Sequence, residues 1–210
     1  MKTWVRLGLF GVIAGLIQAG SPETARGAGP PVQPWVSKDG NVRLLHPSSL
    51  APLPRLDALN TLMTPGWRLL WDSATRTGPG HAVVAFAVKI KPTSKTEKTG
   101  VEALQIGESN DPAVVATCLS YGLTASANRP PDQVIGGMTF TAYGNGDAGM
   151  SQHIGAVDLR AVRNGVCYAV ERIHAGESAS GGDPMVTLPE RQGAIELDAI
   201  MNSLQFGNAQ

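Results

Sequence analysis

The sequence has no excess of charge of either sign: 17 Lys and Arg stand against 17 Asp and Glu in 210 residues. Two of the basic residues, Lys2 and Arg6, sit in an N-terminal leader, and removing residues 1–19 leaves 15 basic against 17 acidic residues, a net charge of −2. That balance offers no electrostatic footing on nucleic acid or on an anionic membrane surface. Long apolar runs are also scarce. The one present, residues 7–17, is shorter than the roughly 20 residues needed to cross hydrocarbon. Behind its short basic region it reads as a secretory signal cleaved after Ala19, although Ile17 is bulkier than the usual small residue there. No cysteine follows it, so a bacterial lipoprotein anchor has no support. We expect residues 1–19 to be a signal peptide, 20–34 (rich in Gly and Pro) a flexible leader, and 35–210 one α+β domain with a real core. The mature chain is expected to be periplasmic or secreted, with no stable membrane anchor.

Motifs of known chemistry are missing too. A serine hydrolase needs a Gly-x-Ser-x-Gly elbow between a strand and a helix. The nearest match, Gly149 to His153, lacks the last glycine and runs into a strand. Ser151 and His153 share one face of that strand, and His174 falls opposite Gly155 on the same face. A Ser151–His153–His174 cluster would suit an envelope hydrolase, but exposed edge residues are the plainer account. None of His46, His81, His153 and His174 is paired four residues apart on a helix, and no His/Cys spacing fits zinc. His153 and His174 can face each other across a hairpin, which more simply describes a solvated pair. Residues 78–80 and 144–146 read as turns, not as phosphate-cradling loops. No catalytic, cofactor-binding or metal-binding residue is assigned, and no cofactor is expected.

Only two cysteines occur, Cys118 and Cys167. In an oxidising compartment an even pair without metal spacing is most simply one disulfide. A loop of this length would contribute about 4 kcal/mol by chain-entropy reasoning.

What the sequence does contain is a three-strand unit near its C-terminal third, over residues 137–143, 151–163 and 166–174. Asn164 and Gly165 suit a type I′ turn between the last two strands. A two-residue turn sets Arg163 opposite Val166, Val162 opposite Cys167 and Leu159 opposite Val170. One face then carries Val157, Leu159, Ala161, Tyr168 and Val170, and we expect a helix over it. The same register sets Asp158 against Glu171, with Arg160 two residues along. Paired carboxylates can do acid–base work, but a solvated trio at the sheet margin, relieved by the arginine, is the plainer expectation.

Upstream, Trp35–Val36 and residues 42–45 flank Asp39 and Gly40 as a hairpin. Leu56, Leu59, Leu62 and Met63 recur at helical spacing, and Trp67, Leu69 and Trp71 alternate as a strand. Residues 82–88 are apolar on both faces, as in a central strand. Lys91, Lys95 and Lys98 fall in a solvated connection that could draw an acidic partner. Residues 101–106 form another strand. Asp111 and Pro112 open a helix with Val114, Val115, Cys118 and Leu119 as its stripe. Thr187 and Glu190 form a capping box for a last helix with Ala194, Leu197, Ile200, Met201 and Leu204 buried and Glu196, Asp198 and Asn202 toward water. Gly193 weakens that helix early.

This amphipathic helix, running into residues 200–206 directly after a strand hairpin, resembles PsbP-like secreted and lumenal domains. The resemblance implies a helix–sheet–helix sandwich and an accessory or binding role in place of catalysis. The expected function is thus a non-enzymatic envelope module that binds another envelope or secreted protein, with residues 144–150 and 175–186 as contact loops. A hydrolase, or an inhibitor or immunity-type protein of an exported enzyme, are the alternatives.

Overall fold

Alternating β-branched and small residues build one long sheet, and the helices attach to its two faces. The computed structural model describes residues 31–54, 56, 80–91, 100–120, 130–149, 152–176 and 187–207. In chain order these form β1 (Val32–Val36), β2 (Val42–Pro47), β3 (His81–Lys91), β4 (Gly100–Ser109), α1 (Pro112–Thr117), β5 (Gln133–Ile135), β6 (Met138–Gly149), β7 (Gln152–Arg163), β8 (Val166–Gly176), β9 (Thr187–Pro189), α2 (Glu190–Asn202) and β10 (Gln205–Phe206). Seven strands make a sheet of order β5-β6-β7-β8-β4-β3-β9, and β1-β2-β10 make a second, smaller one. Every pairing is antiparallel except β9 with β3. The chain is therefore mostly antiparallel sheet, with a small helical share.

The C-terminal hairpin has the register read from its turn. Arg163 pairs with Val166, Val162 with Cys167 and Leu159 with Val170. Asn164 and Gly165 take the positive φ of 51° and 74° that a type I′ turn requires. Leu159, Ala161, Tyr168 and Val170 are buried in one cluster with Phe86, Leu104 and Phe140 of the same sheet, Leu197, Ile200 and Leu204 of the α2 segment, and Val42 and Leu44 of β2. Helix α2 and the small sheet thus cover one face. Gly193 is the close-approach point of α2: a Cβ there would lie 2.8 Å from Val88 Cγ2. The helix accepts a poor helix former in exchange for seating on β3.

On the other face, Ala85, Ala87, Val101, Ala103, Ile173 and Ala175 are buried together with Leu56. Strand β3 is covered on both sides, as its two-faced apolar pattern implies. Farther along this face, α1 packs Val114 and Cys118 against Cys167 and Ala169. Asp111 caps α1 by accepting from the backbone N–H groups of Ala113 and Val114 at 2.8 and 3.2 Å. Cys118 and Cys167 are joined as a disulfide with Cα atoms 5.7 Å apart, which fits a chain maturing in an oxidising compartment.

Several expectations are corrected. Val32 to Pro34, inside the stretch read as leader, belong to strand β1, because Val32 to Val36 pair with β2. Thr187 is not a helix cap: residues 187–189 extend the sheet beside β3, and α2 starts at Glu190. Residues 144–149 are neither a turn nor a contact loop but the far half of β6, paired with β7 as far as Gly149 and Gln152. Glu196 is buried, not turned to water, because Gln192 one turn earlier donates to its Oε1 at 2.7 Å. The helix expected over Leu56 to Met63, the strand over Trp67 to Trp71, and most of the stretches 92–99 and 175–186 lie outside the described residues. No described helix is long and apolar enough to cross a membrane.

Candidate functional site

The carboxylate pair read from the hairpin register exists, but in a different setting. Asp158 and Glu171 are cross-strand partners, and both are buried, as is Arg160. The trio is not at the sheet margin. It sits mid-sheet, where Gln105 of β4 pairs with Glu171 and Tyr143 of β6 pairs with Asp158. Arg160 Nη2 lies 3.3 Å from Glu171 Oε1 and 3.9 Å from Asp158 Oδ1. The Leu56 backbone N–H donates to Gln105 Oε1 at 3.1 Å beside them. Burial, and secondarily the charge of Asp158, push the Glu171 carboxyl well above its ordinary range despite Arg160. This arrangement holds two strands in register. It lines neither described cleft.

His174 lies opposite Gly155, as expected, and opposite Glu102 on its other side. Its Nδ1 is 3.5 Å from Glu102 Oε1. Arg172 Nη2 also bonds Glu102, while Arg172 Nε reaches Asp198 of α2 at 3.1 Å. Burial alone would raise the Glu102 carboxyl, but the His174 hydrogen bond and the Arg172 charge outweigh it and hold it below the usual range. His174 is thus engaged with a clamp that ties α2 to the sheet. Ser151 lies outside the described residues. His153 falls on β7 opposite Ala148 and Gly176, and only its backbone position is described. His46 is a buried structural histidine: its Nδ1 meets the carbonyls of Pro47 and Leu50, each at 2.9 Å, and its ring lies against Phe86. Among the described residues no group of three His, Cys, Asp or Glu is placed to hold a metal.

The sequence reading missed a cleft of about 580 Å³ between the β1–β2 turn and the start of β3, lined by Ser37, Lys38, Asp39, His81, Val83 and Glu108 among others. Asp39 is fixed by three donors: Ser37 Oγ at 2.5 Å and the Asn41 N–H at 3.1 Å on Oδ1, and Asn41 Nδ2 at 2.8 Å on Oδ2. Burial acts to raise its pKa, yet these bonds prevail and hold it at about 2. Glu108, only 6 % exposed, faces His81 across β3 and β4, with Nε2 to Oε1 at 3.4 Å. Burial, then the neighbouring Asp39 charge, push the Glu108 carboxyl up to about 7. Tyr168 pairs with Glu108 from β8, and burial followed by those two acids raises its phenol. From sequence Asp39 reads as a turn residue, and nothing in the local pattern marks Glu108. No local spacing links them; only the docking of the small sheet on the large one does.

A second groove, about 450 Å³ and lined mostly by apolar groups, runs along the small sheet past Trp35, Val36, Leu44, Leu45, Gly136 and Leu204. Beside it Val32, Val36 and Leu45 are 62, 51 and 48 % exposed.

No family model and no curated protein matches the chain. Among solved structures it is similar to a protein from Bacteroides thetaiotaomicron, with 9 % identity, TM-score 0.42, and coverage of 84 % of this chain and 48 % of that one. It is also similar to LpqN, involved in cell envelope biogenesis of Mycobacterium tuberculosis, with 10 % identity, TM-score 0.40, and coverage of 85 % of this chain and 91 % of that one. The chain spans about half the length of the Bacteroides protein. Likenesses this distant assign no function.

Proposed function

We propose that the chain is an exported, non-enzymatic α+β module of PsbP-like type that docks another envelope or secreted protein through the outward face of its small sheet. The observation that carries this reading is the exposure of Val32, Val36 and Leu45 together on that face. The β1–β2 register sets Pro34 against Leu45, so residues of both strands form one apolar stripe, with exposed Arg43 at its end. Contiguous exposed apolar surface with a polar rim marks a protein contact more often than a solvated face. Pro34 has no N–H and blunts the β1 edge for strand addition, so the contact is by the face. Export is supported by the signal-type leader and by the disulfide. The layering of α1 and α2 on opposite faces of the large sheet agrees with the PsbP-like resemblance.

The carboxylate form of the hydrolase alternative draws little from the geometry, since Asp158 and Glu171 lie buried mid-sheet, away from both described clefts; its Ser151 form falls on a residue outside the described ones. The inhibitor alternative uses the same docking face and differs only in what the partner is.

The test is affinity capture of residues 20–210 from an envelope extract, with the wild-type chain and with Val36→Asp and Leu45→Asp. One stoichiometric partner held at moderate salt by the wild type and lost from both variants supports docking by this face. If that partner is an enzyme silenced on binding, the module is an inhibitor. No partner, or a partner retained by both variants, contradicts the proposal.

A further inference from the structure

We propose that the cleft between the β1–β2 turn and the start of β3 binds a primary ammonium group on an aliphatic stem, held between the carboxyl groups of Asp39 and Glu108. This is independent of the docking face. The first observation is that Glu108 lines the cleft while 94 % buried, and its Oε2 meets no hydrogen-bond donor among the described residues. His81 Nε2 stands 3.4 Å from the other oxygen, Oε1, and the Asp39 carboxyl is the neighbouring acid; two carboxyls can bond each other only by holding a proton. A buried acceptor without a donor is costly. The proton shared with Asp39 is the placeholder for a cation.

The second observation concerns which cation fits. Both Asp39 oxygens already accept bonds, Oδ1 from Ser37 and Asn41 and Oδ2 from Asn41. A guanidinium fork needs both oxygens of one carboxylate free and in plane. An ammonium is a point charge with three rotatable donors and can take single lone pairs from separate carboxylates. The wall beside them is apolar: Ala82 and Val83, where the β3–β4 register shifts between Ala82 and Val84. That wall suits the methylenes of an aliphatic stem.

Other charged or titratable groups set the limits. Lys38 on the turn and the exposed His81 on β3 stand at the lining, while Tyr168 and Arg163 approach from the β7–β8 hairpin. Two basic groups at the mouth disfavour a polycation, so the site takes one ammonium. Binding must displace the shared proton, which weakens it as pH falls.

The experiment uses the whole mature chain, labelled with ¹⁵N, titrated with n-butylamine and separately with Nα-acetyl-lysine amide. Shifts should appear at residues 37–39, 81–83 and 108, and the affinity at about pH 8 should exceed that at about pH 5.5 by on the order of tenfold, as displacement of a proton held near neutrality requires. This pH dependence is read in the wild-type protein and needs no variant. Glu108→Gln should weaken binding by about tenfold or more, while Glu196→Gln, a buried carboxyl on α2, should leave it unchanged. Comparable binding of both probes identifies a free amine as sufficient; binding of the lysine amide alone identifies a partner's lysine. No shifts with either probe, equal binding by Glu108→Gln, or a response to Ca²⁺ or Zn²⁺ without one to amines would overturn the proposal.

Discussion

Asp158 and Glu171 face each other across β7 and β8 with the guanidinium of Arg160 within 3.9 Å of one and 3.3 Å of the other. Two buried carboxyls facing each other beside Arg160 do not both ionise cheaply, and it is Glu171 whose carboxyl is pushed up. We therefore expect Glu171→Gln to cost under about 1 kcal/mol, since the amide resembles the neutral acid it replaces. Arg160→Met should cost about 3–5 kcal/mol, because it strips the cation from a buried carboxylate. Urea unfolding of the two variants checks this. Equal losses would mean that Glu171 is ionised and carries half of the pair.

The Asp39–Glu108 pair predicts a pH signature. In the fold the Glu108 pKa is about 7 against a usual 4.5, so the native state binds the proton more tightly than the unfolded chain. The associated stability is complete below about pH 4.5 and is lost as pH rises through about 7. Asp39, held at about 2 against 3.8, contributes in the opposite sense, and its share, complete above 3.8, is lost as pH falls through about 2. Glu108→Gln should thus melt closer to, or above, wild type at about pH 8 than at about pH 5. Taking the difference between the two proteins cancels Glu171, which titrates in both. A melting difference that stays constant across this window would refute the pairing.

Helix α1 has six residues and meets the sheet through Cys118 and Val114. Cys118→Ser and Cys167→Ser should each lower stability by about 2–4 kcal/mol and by similar amounts, because each opens the same loop. Thermal melts of the oxidised protein read this directly, and wild-type melting of both would show that the bridge contributes nothing.

Gly193→Ala tests the seating of α2. Alanine raises helix propensity by about 1 kcal/mol, yet its Cβ would press to 2.8 Å from Val88 Cγ2 and 3.2 Å from Ile90 Cδ1. We expect a net loss of about 1–2 kcal/mol, with overpacking exceeding propensity. A stabilised variant would mean that the helix can shift outward without cost.

Short-range chemistry made much of this legible from sequence. The Asn164–Gly165 turn sets the hairpin register, the alternation of Val157 to Val170 sets its buried face, and Asp111–Pro112 marks the start of α1. Compartment logic paired the cysteines. Environment was not legible. The turn register makes Asp158 and Glu171 partners but leaves their depth open, because strand alternation cannot tell a central strand from an edge one: β4 and β6 must first be known to flank β7 and β8. Thr187 fits a capping box and instead extends the sheet, where the backbone pairing to β3 outcompetes a side-chain cap. His81 and Glu108 meet through β3–β4 pairing, and Asp39 joins them only because the β1–β2 turn docks on the large sheet, a contact for which neither composition nor spacing carries a signal.

The docking claim is tested most directly by site-specific photo-crosslinking in the intact envelope, with the reactive residue at Leu45 and, as a control, at the exposed Val134 of β5. The account predicts one discrete crosslinked protein from Leu45 and none from Val134. Crosslinks of equal yield from both sites, or none from Leu45, would contradict a contact by the small sheet.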